Sequence, residues 1–135
     1  MANEPGRYTI SKETNLSHDE AVEKTRTLLQ DAGYGVLSEI DIQAKLKEKL
    51  DIDRGPYTIL GACNPPLANE GLEAEPELGA LLPCNVIVYE KDGVTHVAAV
   101  EPATMLSVVG NDALGEIASQ VRQDLEQVVE ETARS

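Results

Sequence analysis

Apolar positions along this chain repeat at two different spacings, and each change of spacing marks a boundary between elements. Ala21, Val22, Thr25, Leu28, Leu29 and Ala32 recur at helical intervals. Ser17 with Glu20 three residues later forms a capping box, Leu16 sits where a hydrophobic staple belongs, and Gly33 supplies the stop. A second amphipathic stripe, Leu114, Ile117, Val121, Leu125 and Val128, predicts a long helix over about residues 112–133. Ile42, Leu46 and Leu50 behind Asp41 predict a shorter one, with Lys45, Lys47 and Lys49 as its solvated face.

Strand-like runs lie between these helices. Residues 8–11 open the chain as a short strand. Residues 34–40 follow as another, with Tyr34, Val36, Ser38 and Ile40 expected on one face. Residues 57–63 form an apolar strand after the Arg54-Gly55-Pro56 turn. Asn64 then caps a helix with Pro65 at its first position, and Leu67, Ala68 and Leu72 give it an apolar stripe that Glu75-Pro76 ends. Residues 77–83 read as a tight linker with at most one helical turn. Residues 85–90 and 94–100 flank Asp92-Gly93, a strong hairpin signature, and a short helix is expected over 104–109. The order β-α-β-α-β-α-β-β-α predicts one α+β domain over residues 1–135 in two layers. Its mixed or mostly antiparallel sheet would carry helices on one face, with the long C-terminal helix across it. The other face would be polar or buried against a second copy, so a homodimer is expected.

Composition narrows the partners. The chain has 135 residues, of which 24 are acidic and 11 basic, for a formal charge of -13. Such a surface repels phosphate backbones and anionic lipid, and it suits a salt-rich interior in which repulsion is screened. With no Phe, no Trp and four Tyr, stacking platforms for single-stranded nucleic acid are not expected. Residues 1–15 are polar and hold no signal-peptide core, no apolar run approaches membrane-spanning length, and two cysteines without a leader read as free thiols. Those features predict a cytoplasmic protein with neither a nucleic-acid nor a membrane partner.

Familiar catalytic signatures are absent, so no catalytic residue is named and no cofactor is assigned. His18 and His96 are the two histidines, one at a helix start and one in a hairpin strand. The chemically interesting stretch is Gly61-Ala62-Cys63-Asn64-Pro65-Pro66, where a thiol ends a strand directly before a helix N-terminus. That position favours negative charge and lowers a thiol's pKa, giving an anion site or a reactive thiolate. The plainer alternative makes Cys63 a small core residue and Asn64 an ordinary cap. Cys84-Asn85 repeats the pairing at the next strand, and Glu70, Glu73, Glu75 and Glu77 crowd the segment between. Two thiols with Glu75 or Glu77 give too few ligands to assign a metal, and the four glutamates read first as a solvated rim. Three roles stay open: a small-molecule or metal-binding module around Cys63-Asn64-Pro65, a thiol redox enzyme using Cys63 and Cys84, and a dimeric interaction domain.

The run Gly35-Val36-Leu37-Ser38-Glu39-Ile40-Asp41, followed by Pro56-Tyr57-Thr58-Ile59-Leu60-Gly61-Ala62-Cys63-Asn64-Pro65-Pro66-Leu67-Ala68, closely resembles the bacterial and archaeal family called domain of unknown function 302. Leu72-Glu73-Ala74-Glu75-Pro76, Leu81-Leu82-Pro83-Cys84-Asn85-Val86 and Glu101-Pro102 extend the likeness, which is dense over residues 33–105. The resemblance implies a compact two-layer domain that tends to dimerise, and it brings no activity with it. Its motif falls on Cys63, Asn64, Pro65, Glu75, Pro76, Pro83, Cys84 and Asn85.

Overall fold

The computed structural model describes residues 8–134. The expectation of a leaderless start therefore lies partly outside the described residues, in residues 1–7. In chain order the elements are β1 (Thr9–Thr14), α1 (His18–Asp31), β2 (Gly35–Asp41), α2 (Ile42–Leu50), β3 (Tyr57–Cys63) and α3 (Pro65–Ala74). A 3-10 turn (Pro76–Leu81) leads to β4 (Cys84–Lys91), β5 (Val94–Val100) and α4 (Pro102–Ser107). A second 3-10 turn (Asp112–Leu114) opens into α5 (Gly115–Ala133).

The sheet is ordered β1-β5-β4-β3-β2, and every neighbouring pair is antiparallel, so nothing mixed remains of the expected sheet. Asp92 and Gly93 both take positive φ (54° and 79°), the geometry a two-residue hairpin turn demands. Leu60, Ala62, Cys84, Val86, Val88, Val97 and Ala99 point to one face. There they meet Ala21, Val22 and Leu29 of α1 and Val121, Leu125, Val128 and Val129 of α5. The two helices are joined by buried hydroxyls, Thr25 Oγ1 lying 3.2 Å from Thr132 Oγ1. At the head of α1 the capping box forms in full: Glu20 N donates to Ser17 Oγ while Ser17 N donates to Glu20 Oε1.

Four local expectations are corrected. β1 runs three residues beyond the expected opening strand, because β5 offers its edge as far as Thr14↔Thr95. The short helix begins at Pro102, two residues early, with the Glu101 side chain capping Ala103 N. The last helix begins at Gly115, after the 3-10 turn. The face predicted for Tyr34, Val36, Ser38 and Ile40 does not exist. Val36 pairs with Ala62 and Ser38 with Gly61, so a bulge at Leu37 sends Ser38 and Ile40 to the opposite side from Val36.

That opposite side carries Ile40, Tyr57, Ile59, Ile87, Tyr89 and His96, all half-buried or exposed. Tyr57 and Tyr89 stack with centroids 5.4 Å apart, Tyr89 and His96 at 4.7 Å, and the Arg54 guanidinium lies 5.7 Å over Tyr57. Composition alone gave no sign of this ladder, since its few aromatics become neighbours only through strand register. No helix among the described residues is long and apolar enough to cross a membrane.

Candidate functional site

The C-terminal end of β3 and the start of α3 meet at Cys63-Asn64. Asn64 takes an extended conformation as N-cap, its Oδ1 accepting from Leu67 N at 3.2 Å, and Pro65 occupies the first turn, exposed. This is the strand-to-helix junction the sequence predicts. Around it α3, α4, α5, the Pro76–Leu81 turn and the sheet end enclose a narrow crevice with about 40 Å³ of free space. Cys63, Cys84, Tyr34 and Asn64 line it together with Leu67, Leu78, Met105 and Ile117.

Both cysteines are free, Cys63 half-buried and Cys84 buried. Ala62 pairs with Cys84 across the sheet, which brings the two thiols to adjacent registers. Burial, and then the neighbouring Cys63, push the Cys84 thiol up to about 11. Tyr34 sits just ahead of β2 at 2 % exposure, and its hydroxyl donates to Asp124 Oδ2 at 2.8 Å. Burial and this carboxylate raise the phenol's pKa, so the ring is a neutral wall of the crevice.

The remaining predicted site residues separate. Glu75 caps the end of α3, where it accepts from Asn111 Nδ2 at 3.1 Å, outside the crevice lining. Asn85 is exposed and lines a second groove with Tyr8, Pro83 and Ile87. By strand alternation it lies across the sheet from Cys84. The histidines lie elsewhere: His18 Nε2 is 3.0 Å from Thr58 Oγ1, and His96 belongs to the stacked ladder. Among the described residues no group of three His, Cys, Asp or Glu could hold a metal ion.

Sequence reasoning missed Tyr34 and Met105 as parts of the site. Met105 lies on a short helix whose packing over the sheet end has no signature in the spacing, and Tyr34 is expected on a strand face that the bulge removes. Glu101 frames the same wall. Its side chain is 11 % exposed, and it accepts from Arg122 Nε at 2.8 Å while capping α4, which ties α4 to α5.

The family model described as "Domain of unknown function DUF302" matches residues 10–132. A crystal structure of an uncharacterized conserved DUF302 protein from Bacillus stearothermophilus superposes with a TM-score of 0.88 at 28% identity, covering 96% of this chain and 100% of the other. No curated protein matches.

Proposed function

Since the chain belongs to the DUF302 family, which supplies a fold and leaves the chemistry to the individual residues, we propose that it is a small-ligand binding module with its site in the Cys63-Asn64 crevice. The observation that carries this reading is the crevice itself, a concave apolar space with a few polar groups at one end. Asn64 Oδ1 accepts from Leu67 N and the Tyr34 hydroxyl donates to Asp124, so the lining favours a ligand held by shape and by sulfur. An NMR titration with small apolar solutes such as xenon tests it. Shifts should concentrate at Tyr34, Leu67, Met105 and Ile117, and Ala68→Trp at the rim should abolish them. Shifts scattered evenly over the surface, or unchanged by that substitution, would sink the reading.

A thiol redox role has one observation in its favour, that both free cysteines line the same crevice. Hydrogen peroxide would convert the Cys63 thiol to a sulfenic acid with release of one water. Condensation with the Cys84 thiol would then yield a disulfide and a second water. The raised pKa of Cys84 leaves it almost wholly protonated at neutral pH, which slows that second step and ranks the role behind binding. Glu75 and Asn85 enter the proposal only as supports of neighbouring structure. The further partner is a second copy of the chain, seated on the open sheet face around Tyr57, Tyr89 and His96. Free thiols suit a reducing compartment, so the cytoplasm is the proposed location, and the acidity argues against nucleic acid.

A further inference from the structure

Sulfur is unevenly distributed in this molecule. The chain has two Cys and two Met; Met1 lies outside the described residues, and Cys63, Cys84 and Met105 all line the same crevice. The hard donors that surround most biological cations are missing from that lining. No carboxylate and no imidazole contributes to it, and its two other polar side chains, Tyr34 and Asn64, already serve Asp124 and Leu67 N. Thiolate and thioether sulfur select soft d10 ions, whereas Mg, Ca and Mn want oxygen and a structural Zn site wants four N or S ligands.

We infer that the crevice floor is a binding site for a soft monovalent d10 cation, Cu(I) in the first instance, held by Cys63 and Cys84 with Met105 as the weaker third ligand. The inference rests on the crevice being the ligand site and names its ligand class. On binding, two S–H bonds break, two S–Cu bonds form, and two protons leave to solvent. The cation offsets part of the thiolate charge within the apolar lining. The -13 charge of the chain draws cations toward it from solution. Cys63, half-exposed, is the entry ligand, and Cys84 closes the site from the buried side.

The test titrates the reduced full-length chain with Cu(I), without oxygen, against a chromogenic Cu(I) chelator. One ion per chain is expected. Cys63→Ser and Cys84→Ser should each weaken binding more than about 100-fold and Met105→Leu about 10-fold, since even groups behind a ligand are worth about 10–100-fold. Zn(II) should not displace the ion. If Cys84→Ser fails to fold by circular dichroism, Cys63→Ala and Met105→Leu decide alone, because neither replaces a fully buried group. Unchanged affinity in the cysteine variants, or Zn(II) binding with the same dependence on them, overturns the inference. Loss of Cu(I) binding alongside intact solute binding at Tyr34 and Leu67 overturns it while leaving the crevice as a ligand site. Loss of both removes the two together.

Discussion

At Cys84 the thiol titrates at about 11 in the folded chain against an ordinary value of 9.0, because burial and Cys63 disfavour the thiolate. Below the ordinary value both folded and unfolded chains hold the proton, so the contribution to stability is complete. Above it the unfolded chain releases a proton that the folded chain keeps, and stability falls as pH rises toward 11. Two pKa units correspond to about 2–3 kcal/mol. Urea midpoints should therefore drop across that alkaline window, and Cys84→Ala should flatten part of the drop; an identical pH slope in the variant would refute the assignment. Tyr34 adds to the same limb, since burial and Asp124 raise it too. In the same protein iodoacetamide at neutral pH should label half-exposed Cys63 first, and Cys63→Ser should remove the fast phase. At this scale the sequence made the two cysteines and the Asn64 cap legible, because cap chemistry is local. Tyr34 and Met105 were hidden, because their place in the crevice depends on which elements pack against the sheet end.

Helices and hairpin were legible wherever a cap or turn residue agreed with the apolar spacing, as at Ser17-Glu20 and Asp92-Gly93. The strand Gly35–Asp41 was legible as a strand but its face was not, because a bulge adds a residue without any signature in the spacing itself. Opposite that bulge sits Gly61, and a Cβ there would collide with the Ser38 hydroxyl and lie 2.8 Å from Pro83 Cγ. Side chains of Ser38 on one side and Pro83 on the other therefore close over this position, and a larger residue must displace them. Gly61→Ala should cost about 1–3 kcal/mol through overpacking, read as a lower urea midpoint with unchanged slope. A neutral result would mean that the bulge relaxes freely. Because the same three-residue segment carries Cys63, the variant should also loosen the strand end that presents this thiol to the crevice.

For the whole molecule, the excess of acidic over basic residues makes self-repulsion the dominant long-range force. Screening at molar salt should raise the melting temperature, and a flat or falling curve would leave the acidity without a stabilising role in salt. The same screening should favour pairing through the Tyr57-Tyr89-His96 face. Light scattering at tens of micromolar in molar salt should accordingly report a dimer, and a monomer there would exclude that interface. The strand order has a further consequence for how the protein is made. β1 has β5 as its sheet neighbour, with Thr9 opposite Val100, and Thr25 of α1 meets Thr132 near the end of the last helix. During synthesis the first strand and first helix leave the ribosome long before their partners exist. Closing loops of that length is slow and exposes apolar surface meanwhile. The sheet can be completed only after β5 has emerged, and the core only after nearly all of α5 has followed, so the N-terminal third of this domain cannot reach its native packing alone.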